Sequence, residues 1–221
     1  MQGEPAQRFS VVMGDLVRSG RAPVPEALHA RFNAAVEACN AAHSDALASA
    51  LTITLGDEFQ GLARSLAQAV PLVRGLRLEL MAAGIDCRFV IGQAEIRTPV
   101  NPDKAWNMMG PGLARAREKL NDKKAGVFYR FSLEDAPLTE TLLDALGAGL
   151  SAIERGWTEQ QRADIAALMA GVTAAELARR REVSVHSIYK VRGAGNHDAY
   201  VAQWRAVEAA LVALDAGQGL G

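Results

Sequence analysis

Two aspartates stand at equivalent points of the chain. Asp15 follows Val11-Val12-Met13-Gly14, and Asp57 follows Ile53-Thr54-Leu55-Gly56. In each case an apolar run ends, a glycine leaves room, and a carboxylate emerges. If the two runs are neighbouring strands, both carboxylates leave one edge of one sheet. Carboxylates a few ångströms apart repel, and the repulsion calls for a cation or a shared proton. Mg²⁺ held by one or two carboxylates together with substrate phosphates meets that need. A pair of such ions stabilises the attacking and leaving oxygens of phosphoryl transfer. Taken singly, each Gly-Asp pair is also ordinary turn chemistry.

A second group is basic. Leu113 to Lys124 carries Arg115, Arg117, Lys119, Lys123 and Lys124. Arginine meets phosphate with a planar fork and lysine with a point charge. Arg115 and Lys119 are spaced i,i+4 and share a helix face. Gly110-Pro111-Gly112 precedes them, so the first backbone N–H groups of that helix offer an anion site. The bland alternative is a solvated helix surface. No Walker-type Gly-x-x-x-x-Gly-Lys-Ser/Thr loop occurs, which argues against a P-loop NTPase.

The elements that must position these residues follow from periodicity. Arg8 to Met13 reads as a strand and Pro25 to about His43 as an amphipathic helix, with Leu28, Phe32, Val36 and Cys39 on one stripe. Leu51 to Leu55 alternates as a half-buried strand, and Glu58 to Ala63 returns as its hairpin partner. Ser65 to Ala83 is a helix closed by Gly84, Ile85 to Ile96 a strand, Pro99 to Met109 loop, Pro111 to about Asn121 the basic helix, and Val127 to Phe131 a short strand. The order predicts an α+β fold with helices on one face and a ferredoxin-like or palm βαββαβ arrangement. After residue 136 no strand pattern recurs. The expected organisation is therefore a palm-like domain over 1–136, an all-α domain over 137–216, and a frayed tail over 217–221.

Within the helical part, Glu176 to Val191 resembles a helix-turn-helix. Ala178 is small where two helices cross, and Leu177, Val183, Ile188 and Val191 are apolar where the pair packs. Thr158 with Gln161 forms a capping-box pattern, and Ser184 can N-cap the second helix. Ser184, His186, Ser187, Lys190 and Arg192 are the candidates for contact with double-stranded DNA. Two positions depart from the usual pattern: Arg181 replaces an apolar residue, and Glu182 stands where glycine is common. From Glu176 to Arg192 the basic residues are Arg179, Arg180, Arg181, Lys190 and Arg192 and the acidic ones Glu176 and Glu182, a local net charge of +3. A small bundle used for packing or dimerisation is the plainer alternative.

Val12-Met13-Gly14-Asp15-Leu16-Val17-Arg18-Ser19, together with Thr52 to Gly61, resembles the SatD family. Asn101-Pro102, Gly110-Pro111 and Ala114-Arg115-Ala116-Arg117 fit the same family, and the resemblance covers roughly residues 8–131. More distantly these residues are similar to class III nucleotidyl cyclases and diguanylate cyclases. That resemblance implies metal-binding roles for Asp15 and Asp57, and nucleotide contacts from Gly14, Gly56, Glu58, Arg115 and Arg117. Departures from those families are Leu55 in place of the first glycine of the diguanylate cyclase signature, and Ala114 and Glu118 where a class III cyclase carries asparagine and arginine.

Composition limits the classes of function. The chain has 221 residues, 49% hydrophobic and 22% charged, with 24 Lys and Arg against 25 Asp and Glu. These are globular values, and any basic surface must be local. Cys39 and Cys87 cannot build a disulfide framework, and the four histidines show no zinc spacing. No apolar run nears the ~18 residues of a membrane span, and no signal-peptide pattern opens the chain, so a cytoplasmic protein without membrane contact is expected. The reading that joins these features is a nucleotide-sensing, DNA-binding regulator, homodimeric, with Mg²⁺ at Asp15 and Asp57. The alternatives are a cyclase- or nucleotidyltransferase-like enzyme using the same aspartates, and a non-catalytic scaffold with a dimerisation tail.

Overall fold

The first strand is apolar on both sides, and that decides the layering. A computed structural model describes residues 7–17, 24–123 and 126–217. In it β1 (Gln7–Leu16) is buried continuously from Ser10 to Leu16. A strand of this kind must lie centrally and be covered on both faces. The other strands are β2 (Leu47–Ile53), β3 (Glu58–Ala63), β4 (Cys87–Ile96) and β5 (Tyr129–Ser132), in the sheet order β2-β3-β1-β4-β5. The first four are antiparallel to their neighbours, and β5 adds parallel to β4. With α1 (Pro25–Ala42) and α2 (Leu66–Ala82) as crossovers, β1 to β4 form the expected βαββαβ palm.

One face of the sheet builds the large core. Val12 and Leu16 of β1, Phe59 of β3 and Cys87, Phe89 and Ile91 of β4 meet Phe32 and Val36 of α1 and Val70, Val73 and Leu80 of α2. The other face carries Val11, Met13, Leu62, Val90 and Ala94, covered by Ala116 and Leu120 of α3 (Leu113–Asn121). The expectation of helices on a single face therefore holds for α1 and α2 and fails for α3. The physical reason is the unbroken apolar run of β1, which leaves a second face to be covered.

Five helices follow: α4 (Pro137–Arg155), α5 (Glu159–Met169), α6 (Ala174–Arg180), α7 (Val185–Ala194) and α8 (His197–Gly217). The core crosses residue 136 without a break. Leu143 and Leu150 of α4, Trp157, Ile165 of α5, and Tyr200, Trp204 and Leu211 of α8 share the cluster that holds α1 and α2. β2 begins at Leu47, earlier than expected, because Leu47, Ser49 and Leu51 already alternate inward and the buried Ser49 hydroxyl donates to the Asn101 carbonyl at 2.6 Å. Of the tail expected to fray, residues 218–221 lie outside the described residues, as do Arg18, Ser19 and Lys124. Among the described residues no helix is long and apolar enough to cross a membrane.

A buried charge joins the layers. Glu154 of α4 is fully enclosed; it accepts Arg77 Nε of α2 at 2.8 Å, the Tyr200 hydroxyl of α8 at 2.6 Å and the Tyr129 hydroxyl of β5. Burial would lower the Arg77 pKa, but Glu154, Tyr129 and Asp86 outweigh it and raise it. Burial also raises both tyrosines, so all three donors keep their protons. Removing one side of such a pair leaves an uncompensated charge. Glu154→Leu is expected to cost about 3–5 kcal/mol, and Arg77→Met with Glu154→Leu much less; urea denaturation of the single and double variants measures the difference.

Candidate functional sites

The strand ends gather the first group. Asp15 lies opposite Glu58 on β3 and Arg88 on β4, and the Leu16 N–H donates to the Asp57 carbonyl at 2.9 Å. Gly14 and Gly56 make this possible in different ways. A Cβ at Gly14 would collide with the Phe59 ring and the Arg88 carbonyl, and Gly56 turns the hairpin at φ 79°. The strand ends thus set Asp15 beside Glu58 and bring the Asp57 backbone against Leu16.

Asp15 is already neutralised there. Its side chain is only 3% exposed, and Arg88 donates Nε to Oδ1 at 2.8 Å and Nη2 to Oδ2 at 2.6 Å. The Lys123 ammonium stands 3.4 Å from Oδ2. Arg117 of α3 donates Nη2 to Gln60 Oε1 at 2.8 Å and lies 3.4 Å from Glu58 Oε2. Among the described residues no three His, Cys, Asp or Glu side chains are grouped to hold a metal ion. Both Asp15 oxygens accept the Arg88 guanidinium, and a Mg²⁺ ion at Asp15 and Asp57 would have to share them or displace it. The sequence analysis missed Arg88; it sits in a strand, where alternation signals a face but not a partner.

Arg115 belongs elsewhere. It donates to Glu140 of α4 at 2.8 Å, and Lys119, one turn on, reaches Glu140 at 2.8 Å and Asp144 at 2.6 Å. The shared face read from their spacing is real, but it meets carboxylates. Glu140 also accepts the Leu133 N–H at 2.5 Å. Burial raises the Glu140 pKa; Lys119, the Leu133 N–H and Arg115 together overcome this and lower it. A lowered carboxyl stabilises the fold above its unfolded pKa, and that contribution is lost as pH falls through the lower folded value. Glu140→Gln should therefore flatten the dependence of Tm on pH in the acid range below 4.5, read by thermal melts across that range.

The C-terminal helices form a compact trio. Leu177 and Ala178 of α6 and Ile188 of α7 are buried together, with Ala167, Leu168 and Val172 packed against them. Thr158 caps α5 in a full capping box, and Thr173 and Ser184 cap α6 and α7. Both unusual turn residues are accommodated. Arg181 pairs with the buried Asp164 of α5, and Glu182 adopts φ 54°. A left-handed conformation costs a non-glycine residue about 1–2 kcal/mol, so Glu182→Gly is expected to raise stability by about 1 kcal/mol, measurable as an increase in Tm.

On the outer face of α7, His186 and Lys190 are exposed, as are Arg179 and Arg180 of α6. Ser184 and Ser187 bond one another through their hydroxyls at 2.9 Å and serve the cap. Arg192 donates to Asp198 at 2.7 Å and lies over the Tyr189 ring. Tyr189, 54% exposed, is the residue on this face that the sequence analysis passed over. Its position one helical turn after Val185, also exposed, was the available signal.

A palm-type sheet followed by helices defines an α+β protein, with one cluster of acidic and basic groups at the strand ends. The SatD family model matches residues 9–190, and the chain belongs to the SatD family. Among solved structures, a bacterial light-regulated adenylyl cyclase is similar at 12% identity and TM-score 0.38, over 57% of this chain and 43% of that one. The guanylyl cyclase Cya2 is similar at 11% identity and TM-score 0.35, over 53% of this chain and 69% of that one. The chain thus spans less than half the length of the adenylyl cyclase. No curated protein matches the sequence.

Proposed function

We propose that this SatD-family chain is a DNA-binding regulator that seats α7 in the major groove and binds a nucleotide or related phosphate ligand at the β1/β3 sheet edge. The observation that carries the reading is the turn between α6 and α7. It runs from Arg181 to Ser184 with Glu182 at φ 54°, and it leaves His186, Tyr189 and Lys190 on the outward face of the second helix. A short helix, a tight left-handed turn and a second helix with an exposed polar face suit groove recognition. Arg179, Arg180 and Lys190 supply phosphate anchors. A homodimer belongs to the same reading, because paired half-sites need two copies. A second copy would also cover Leu138 and Leu142 of α4 and Val212 of α8, which are 73%, 59% and 49% exposed.

The second reading is a two-metal cyclase or nucleotidyltransferase, in which Mg²⁺ would share or displace the Arg88 guanidinium on Asp15. The experiment for the DNA reading is selection of duplexes from a random library, followed by anisotropy titrations at several salt concentrations. Point substitutions are the cleaner variants, since deleting residues 156–221 would strip Trp157, Tyr200 and Trp204 from the shared core. Lys190→Ala should weaken all duplexes alike and reduce the salt slope by about 1. Tyr189→Ala and His186→Ala should relax sequence preference by about 1–3 kcal/mol per lost base contact. Failure of the intact protein to bind any duplex at low salt would sink the DNA reading.

A further inference from the structure

Two apolar side chains of α7 face outward together. Val185 opens the helix at 39% exposure, and Tyr189, one turn on, is 54% exposed. Residues four apart share a helix face. It is Ile188 that packs inward, buried with Leu177 and Ala178, so the trio's core consumes little of Val185 or Tyr189. Helix propensity does not call for them either, since β-branched and aromatic side chains lose χ1 freedom in a helix. Their apolar surface is left for a partner. The charges nearby narrow what that partner is. Most are matched within the chain: Arg180 with Glu176, Arg181 with Asp164, and Arg192 with Asp198. Among the described residues, Arg179, Lys190 and Glu182 form no ion pair. Two free cations can anchor phosphates, but such contacts carry no sequence information. Base reading then falls mainly to Val185, His186 and Tyr189.

We infer that Val185 and Tyr189 read thymine C5-methyl groups in the major groove, and that Arg192 positions the Tyr189 ring instead of anchoring a phosphate. The inference rests on the DNA half of the reading above and adds which feature of the bases is recognised. The thymine methyl is the apolar mark that a base pair shows in the major groove, and apolar side chains meet it. An exposed valine in the first turn of the second helix is placed for that contact, because the beginning of such a helix is the part that meets base edges. The aromatic ring is held ready for it. The Arg192 guanidinium lies 5.9 Å from the Tyr189 ring centroid, and its far end donates to Asp198 at 2.7 Å. A guanidinium tied to a carboxylate and stacked on an aromatic face restrains the ring it covers.

The test replaces the thymines of the best selected duplex by uracil, one at a time, which removes the methyl group and keeps the base pair. Anisotropy titrations of the full chain should show binding weakened about fourfold at one or more positions, the worth of one buried methyl group. Val185→Ala and Tyr189→Ala should each weaken the thymine duplex and erase the uracil effect at one of those positions. Both residues are exposed, and circular dichroism checks that both variants fold. Tyr189→Phe should keep the discrimination. Arg192→Gln should shrink the uracil effect at the Tyr189 position and leave the salt slope unchanged. A slope lowered by about 1 with the uracil effect intact would make Arg192 a phosphate anchor and overturn its positioning role. Uracil tolerated at every position, or a selected duplex without thymine, overturns the inference and leaves the DNA reading standing. A uracil effect that both alanine variants retain also overturns it, since other groups then read the methyl. Failure to bind any duplex at low salt overturns both this inference and the DNA half of the proposed function.

Discussion

Glu154 is a carboxylate with no route to water, and its solvation shell has been replaced by three side chains from three other elements. Arg77 comes from α2, Tyr129 from β5 and Tyr200 from α8. A buried charge is tolerable only when its lone pairs are met, so these four elements have little freedom to shift against one another. The chain of contacts continues outward: Arg77 also donates to Asp86 at 3.0 Å, and Asp86 accepts Arg162 of α5 at 2.9 Å. In this way the helical trio is fastened to the sheet by charge as well as by the shared apolar core. Any movement of α7 relative to the palm must be reconciled with that fastening.

The two faces of the sheet have separate tasks. The face that meets α1 and α2 supplies the core, including the aromatic series Phe32, Phe59, Phe89, Tyr129 and Trp204, each ring in contact with the next. The face under α3 is apolar for most of its length and turns polar at the end where Asp15, Glu58 and Arg88 stand side by side. α3 covers the apolar part, and its basic residues divide: Arg115 and Lys119 secure α4, while Arg117 reaches the polar end. A helix that looks uniformly basic in sequence is thus half structural tether and half site.

Much of this is legible in the amino-acid sequence. The βαββαβ order followed from hydrophobic periods. Gly14 and Gly56 were recognisable as the glycines at the two strand ends, one packed against the Phe59 ring and one turning the hairpin. The caps at Thr158 and Ser184 were readable because capping is a local interaction between residues three apart. The pairing of Arg88 with Asp15 was not, because the two are neighbours only through strand register. Nor was the pairing of Arg181 with Asp164, which explains a residue that breaks the usual apolar pattern of such a turn.

The amino-acid sequence by itself determined the elements, their caps and the placing of both aspartates at strand ends, since these depend on periods and spacings of a few residues. Only the tertiary structure decided which charges meet. It paired Asp15 with the Arg88 guanidinium, sent Arg115 to Glu140, and ran one core across residue 136. The reason is physical: a charge is satisfied by whatever opposite group the fold brings within hydrogen-bonding distance, and sequence separations of 73 residues, as between Asp15 and Arg88, carry no local signal.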